Sequence, residues 1–223
     1  MIIILKNYIY KPICDKISSK PTKRNFVDKL DKKALRRESI IQTALQLFSL
    51  NGFHKTTIPD IANSLGMSVG NLYNYFKSKD ILAKEIIKYT STVLGDEIRA
   101  INMQDISSQE KIKAIVTIYF RMAKEKPEMI DYFLRVYLSH REVFSDGCEG
   151  MTCVSGFITE IMIFFDDGVS KGELRDQDFF SAFGLFMGYL GGMVFLKGEE
   201  ILPRELDEYI DDISNNIYNA LKA

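Results

Sequence analysis

A chain of 223 residues with 46% apolar side chains fits one large or two small domains and has enough apolar material for a core, which excludes an intrinsically disordered protein. Only 5 prolines interrupt it, and Leu, Ile, Phe, Met, Lys and Glu are plentiful. No period-2 alternation is sustained, so the composition points to an all-α chain of about nine helices. The formal net charge of −1 hides two opposite halves: residues 1–90 hold 16 Lys/Arg against 7 Asp/Glu (+9), leaving 13 against 23 (−10) for the rest. A basic half is the electrostatic footprint of a polyanion binder, and an acidic half must face away from the same polyanion.

Residues 1–33 read as a basic N-terminal extension without helical period. Lys11, Lys16, Lys20, Lys23 and Arg24 lie there around Pro12 and Pro21. Three readings stand side by side: a flexible arm reaching phosphates or a minor groove, a segment folded on the body, and a translation start assigned too early. The apolar run from Met1 to Leu5 is far shorter than the core of a secretory signal and ends at Lys6, so a cytoplasmic location is expected.

A first helix is predicted from about Lys33 to Leu50, with Ile40, Ile41, Ala44, Leu45 and Phe48 on its buried stripe and Asn51-Gly52 as its stop. Thr57 is an N-cap, followed by Ile58, Ile61, Ala62 and Leu65 at i, i+3, i+4, i+7. Gly66 suits a C′ position, and Ser68 caps a further helix from about Val69 to Phe76. Leu72 and Phe76 face inward, while Asn71 and Asn74, with Tyr73 and Tyr75 beside them, form a polar and aromatic outward face. This is a helix-turn-helix layout.

Ser78 caps a long helix carrying Ile81, Leu82, Ile86, Tyr89, Val93 and Leu94 on one stripe and reaching towards Asn102. Further helices are placed at about Ser108 to Lys124, Pro127 to Phe144, Gly150 to Lys171, Gln177 to Lys197 and Pro203 to Leu221. The prolines sit where the first helical position tolerates them, and Gly172 and Gly198 where C′ glycines belong. The stretch from Phe179 to Leu196 has 18 residues and no charge, just long enough to span a membrane. Gly184, Gly188 and Gly192 recur in it every four residues, and one flank lacks the aromatic and basic residues of a membrane boundary. A helix-packing stripe in a protein without a membrane partner is therefore the reading adopted.

The wording between Arg36 and Tyr89 resembles the tetracycline-repressor family of bacterial and archaeal transcription regulators. The resemblance rests on Gly52-Phe53, Thr56-Thr57, Ile61-Ala62, Gly66-Met67-Ser68-Val69-Gly70, Leu72-Tyr73-Asn74-Tyr75-Phe76 and Ser78-Lys79-Asp80-Ile81-Leu82, with a looser likeness from Gly168 to Arg175. It implies an all-α fold with a three-helix DNA-binding domain at 34–78 and a C-terminal helical bundle for ligand binding and dimerisation at 79–223. It also implies a homodimer on a near-palindromic double-stranded operator, usually acting as a repressor released by a small-molecule effector, here expected to be largely apolar. Carried over by position, Val69, Gly70, Asn71, Tyr73 and Asn74 face bases or nearby backbone. Thr57, Ser68, Tyr75 and Lys79 match phosphate-contact positions, and Lys77 is an addition. Asn71 and Asn74 each offer the paired donor and acceptor that match adenine in the major groove. Lys79, in a first helical turn, would have helix N–H groups beside it for the same phosphate.

The ligand pocket implied by the family would draw on Phe120, Phe133, Tyr137, His140, Phe144, Phe157, Ile161 and Phe164. The dimer interface would draw on Phe180, Gly184, Gly188 and Gly192 with Ile210, Ile213 and Ile217 of the last helix. An architectural or cell-division factor of the same fold, without an effector, is the alternative function. Glycine-rich phosphate loops, nucleophile elbows and paired His and carboxylates are not found in the sequence, so no catalytic activity, cofactor or metal is expected. Cys148 and Cys153 read either as incidental thiols or as a redox pair; Cys14 adds no zinc-spaced cluster.

Overall fold

The computed structural model describes residues 23–136 and 148–223, with side chains over 32–134 and 154–223. It divides into two units, Met1–Arg37 and Glu38–Ala223. In the first, the backbone is helical from Lys23 and the side chains of Lys32, Lys33, Ala34 and Leu35 are exposed. Helix α1 therefore runs Lys23–Asn51, starting ten residues before the predicted Lys33. Phe26, Leu30 and Ala34 repeat at i, i+4, i+8 with Lys and Asp between them, and no Pro or Gly lies between Pro21 and Gly52; that weak helical pattern is enough.

The second unit is helical throughout its regular parts. Nine α-helices are present among the described residues, and the only strand-like pairing there is a single bridge between Leu174 and Lys222. After α1 come α2 (Ile58–Ser64), α3 (Val69–Tyr73), α4 (Lys79–Asn102) and α5 (Ser108–Glu125). Next is α6 (Pro127–Asp131), which continues as a π turn over Tyr132–Val136. Then follow α7 (Cys148–Ser170), α8 (Phe179–Gly198) and α9 (Ile210–Leu221), the last entered through a 3-10 turn at Leu206–Tyr209. Two predicted helices are shorter than the sequence pattern. The one opening at Pro127 gives way to the π turn, and residues 137–147 lie outside the described set. The one opening at Pro203 becomes regular only at Ile210.

Polar caps set most helix starts. The Thr57 side chain accepts the Asp60 N–H while Asp60 accepts the Thr57 N–H, and Ser107 and Glu110 do the same for α5. Ser68 accepts from Asn71 N at 3.2 Å, and Ser78 from Ile81 N at 3.1 Å. Helix α2 is closed by Gly66 at φ +61°, with Gly66 N donating to Asn63 O and Met67 N to Ala62 O, a Schellman pair that needs the left-handed residue.

One buried apolar cluster extends from Ile40, Ala44 and Phe48 of α1 to Ile213, Ile217 and Leu221 of α9. The stripe predicted on α4 holds at Leu82, Ile86 and Leu94, whereas Ile81 points outward. Where α4 crosses α7, a Cβ on Gly95 would stand 3.1 Å from the backbone of Gly156, so glycine there permits close approach. A chain of polar groups centred on the buried Glu160 and Lys111 follows. Arg99 and Asn102 of α4 donate to Glu160 of α7 at 2.8 and 3.2 Å, and the buried Lys111 of α5 donates to Asp167 of α7 at 2.8 Å.

Candidate nucleic-acid interface

The α2–turn–α3 unit presents one face to its own protein and one to solvent. Leu72 and Phe76 are fully buried in the apolar core, which fixes the rotation of α3. That rotation leaves Ser68, Val69, Gly70, Asn71, Tyr73 and Asn74 exposed as a continuous surface. Helix α3 has five residues and ends before the predicted Phe76. Tyr75 N and Phe76 N still donate to Leu72 O, so the turn brings Phe76 back into the core. Asn71 and Asn74 carry free amide edges on this surface: no side-chain bond consumes either among the described residues. A Cβ on Gly70 would meet nothing within 4 Å, so nothing inside the protein demands glycine there.

The phosphate candidates separate into two groups. Lys77 and Ser68 are exposed, and Tyr75 is half-buried against the core. Thr57 is exposed but committed: its hydroxyl donates to Asp60 at 2.6 Å and its N–H to the same carboxylate at 2.7 Å. Those two bonds hold the Asp60 carboxyl below the usual range. Lys79 corrects the sequence reading. Its ammonium donates to Phe53 O at 2.9 Å, Thr56 O at 3.1 Å and His54 O at 3.5 Å, and sits 4.4 Å above the Phe53 ring. An ammonium has three protons, and here they go to the carbonyls of the turn between α1 and α2. Lys79 ties down backbone instead of facing a phosphate.

The basic excess lies ahead of the helix-turn-helix. Of the 16 Lys/Arg in residues 1–90, 11 precede Glu38, so residues 38–90 hold 5 Lys/Arg against 4 Asp/Glu. The helix-turn-helix is nearly neutral by itself.

Residues 40–86 match the model of a family described as bacterial regulatory proteins, tetR family. The HTH-type transcriptional regulator BetI of Brucella canis is 28% identical over 110 residues, 49% of this chain and 56% of that protein. The HTH-type transcriptional repressor KstR2 of Rhodococcus jostii is 33% identical over 85 residues, 38% of this chain and 42% of that protein. Among solved structures, the transcriptional regulator FadR of Bacillus subtilis in complex with stearoyl-CoA superposes with a TM-score of 0.70 at 17% identity, covering 81% of this chain and 97% of that one. Over residues 40–86 the chain is similar to the tetR family. Its matched stretch spans about half the length of these curated relatives, and the structural likeness carries the fold across the remainder.

The expected pocket residues divide by burial. Phe120, Phe157, Ile161 and Phe164 are fully buried, and Phe133 is half-buried with its ring 5.8 Å from Phe157. Tyr137, His140 and Phe144 lie outside the described residues, as do the side chains of Cys148 and Cys153. Two groups escaped the sequence reading: the Thr90 hydroxyl on α4 and the Tyr119 hydroxyl on α5. Both are buried with no hydrogen-bond partner among the described residues, and burial pushes the Tyr119 phenol up. A polar residue inside an apolar stripe was the only available signal.

The expected dimer residues also divide. Phe180 is 65% exposed, and Gly184, Gly188 and Gly192 are exposed with open space where a Cβ would stand. Leu185 and Phe195 extend that apolar face, which sequence reasoning missed. Ile213 and Ile217 are a correction: both are buried inside the chain, Ile210 is half-buried, and α9 turns Asp211, Asp212, Asn215 and Asn216 outward. The apolar stripe of α9 is used up on its own protomer, chiefly against α5.

Proposed function

We propose that this protein is a homodimeric, sequence-specific DNA-binding regulator of transcription, acting as a repressor that a small molecule releases. The observation that carries the reading is the outward surface of α3: Val69, Gly70, Asn71, Tyr73 and Asn74 are exposed while Leu72 and Phe76 lock the helix in place. Asn71 and Asn74 read base edges in the major groove, and Ser68, Tyr75 and Lys77 hold phosphates. Because residues 38–90 are nearly neutral, the Lys and Arg of residues 1–37 supply most of the charge for phosphate attraction.

A monomer of this size grips one half-site; two copies joined through α8 grip two. The α8 face built from Phe180, Gly184, Leu185, Gly188, Gly192 and Phe195 suits a second copy of itself, since glycines every fourth residue let two helices approach closely. Helix α8 is also long and apolar enough to cross a membrane, with 17% of its apolar window buried inside the chain. The dimer accounts for the same exposure in a cytoplasmic protein.

The effector is largely apolar, in keeping with the rings of Phe133, Phe157 and Phe183, whose centroids follow one another at 5.8 and 6.1 Å. The Thr90 and Tyr119 hydroxyls, which have no hydrogen-bond partner among the described residues, would give such a molecule anchors. Release requires that it bind the conformation with the wrong half-site spacing more tightly, by about 1–3 kcal/mol of coupling.

Selection of bound duplexes from a random pool at two salt concentrations tests this reading. A palindromic consensus bound less tightly at the higher salt is expected, and Asn71→Ala should relax preference at one base pair per half-site by about 1–3 kcal/mol of discrimination. Absence of any enriched sequence would overturn the proposal, and an Asn71→Ala that lowers affinity equally for every sequence would remove Asn71 as a base reader.

A further inference from the structure

Four side chains from four separate segments form an unbroken stack running from the C-terminal bundle to the start of α2. Tyr132, first residue of the π turn after α6, lies parallel to Phe48 of α1, with ring centroids 5.9 Å apart and planes inclined by 17°. Its hydroxyl donates to Ala83 O of α4 at 3.4 Å. Phe48 meets Phe53 edge to face at 5.2 Å. The Phe53 ring in turn carries the Lys79 ammonium, which holds the carbonyls of Phe53, His54 and Thr56 immediately before the Thr57 cap. Tyr132, Phe48 and Phe53 are each at most 5% exposed.

We propose that the Tyr132–Phe48–Phe53–Lys79 stack couples the π turn after α6 to the N-terminus of α2, making Tyr132 a positioning residue for the α2–α3 surface. The inference rests on reading that surface as the DNA reader. Close-packed rings in a protein interior do not compress, so a displaced Tyr132 must be followed by Phe48 and Phe53 or leave a void. Phe53 cannot follow without moving the carbonyls that Lys79 grips, because the ring and the first of those carbonyls belong to the same residue. The next residues are the α2 cap, so movement of the turn reorients α2 and, through it, α3. The π turn is the element that can supply such a displacement. An extra residue in its turn leaves it one rearrangement away from regular α-helix, and such turns recur at functional sites.

The stack runs from the π turn through Phe48 of α1 to the turn before α2. Tyr132 donates to the Ala83 carbonyl of α4, while its ring addresses α1. Lys79, though on α4, spends its charge on the turn that precedes α2. The arrangement thus gives the bundle a grip on the helix-turn-helix at the start of α2.

A double-mutant cycle tests the coupling. Affinity for the consensus duplex selected by the wild-type protein is measured for Tyr132→Leu, Lys79→Met and the pair. Each single variant should bind about tenfold or more weakly, and the pair should be no weaker than the worse single variant by more than about threefold, because both break one path. Multiplying losses would overturn the proposal. Tyr132→Phe, which keeps the ring, should recover most of the affinity lost in Tyr132→Leu; equal loss would assign the effect to the hydroxyl and remove the stack. Amide exchange in the full chain without DNA supplies a readout independent of the operator. Residues 53–60 should exchange faster in Tyr132→Leu while α7 to α9 stay protected; should that variant not fold, Phe48→Leu breaks the same stack one step on. Unchanged exchange at 53–60 would overturn the coupling. Faster exchange in a protein that selects no DNA would leave the coupling standing and sink the DNA reading instead.

Discussion

The outward face of α3 and the seam between α4 and α7 use the same residue types for opposite ends. Gly70 on α3 has nothing within 4 Å of a built Cβ, whereas Gly95 on α4 has the backbone of Gly156 and Phe157 at 3.1 to 3.2 Å. Asn71 on α3 keeps its side-chain amide exposed, whereas Asn102 in the seam donates to both the carbonyl and the carboxylate of Glu160. A residue that the fold consumes explains itself by stability. One that the fold leaves alone, on a surface fixed by buried neighbours, invites an explanation from outside the molecule. Substitutions in the seam should therefore cost stability before DNA affinity, and substitutions on α3 the reverse.

The largest expected effect is at Asp167. Its carboxylate accepts from the buried Lys111 at 2.8 Å and from Lys171 at 2.9 Å, and these two partners hold its carboxyl below the usual range. Asp167→Asn leaves the buried Lys111 ammonium facing neutral acceptors, the new amide oxygen and the Asn102 carbonyl at 3.3 Å, with no opposite charge beside it, which should cost about 3 kcal/mol at pH 7. The sign with pH follows from the depressed folded value. The stabilisation is complete above the unfolded carboxyl pKa of about 4 and disappears as pH falls through the lower folded value. Urea unfolding at pH 7 and pH 3 should show the variant deficit shrinking at the lower pH; a deficit that stays constant would place its origin elsewhere than in this ion pair.

Much of this difference was legible in the amino-acid order, and the part that was not has physical causes. Caps at Thr57, Ser68 and Ser78, the left-handed Gly66 and the buried stripes of α1 and α2 are local, so a short window of sequence carries them. The same windows showed which α3 residues face out. Lys79 was misread because its partners lie 23 to 26 residues away, in a turn that no spacing rule connects to it. Ile213 and Ile217 were misread because a periodic stripe reveals that a helix has an apolar face without revealing which helix covers it. The π turn at Tyr132 left no trace in a segment that reads as continuous helix, and α1 began early because a weak pattern without a breaker suffices.

Gly95→Ala comes next in size. The new methyl would push against the Gly156 carbonyl and Phe157 N, backbone atoms that yield only if α4 and α7 separate, at about 1–3 kcal/mol. Thermal unfolding should show the loss, with selected DNA sequences unchanged. If Gly95→Ala altered the consensus while leaving stability intact, the seam would have a role in reading DNA and the division between the two regions would fail.

Gly70→Ala is the smallest effect on stability and the sharpest on the comparison. Its backbone is helical, its φ is not among the positive values, and a methyl there enters open space. Replacing glycine by alanine in such a position raises stability by up to about 1 kcal/mol, largely by restricting the unfolded chain. A natural sequence that forgoes this gain at an exposed position does so for a reason outside the folded monomer, and close approach of a DNA backbone to α3 is that reason in the reading proposed above. The expectation is thus a pair of opposite signs in one variant: a higher midpoint in urea and a lower affinity for the selected duplex. A variant that is more stable and binds equally well would show that Gly70 is not at the contact. It would then shift the closest approach along the exposed surface towards Tyr73 and Asn74.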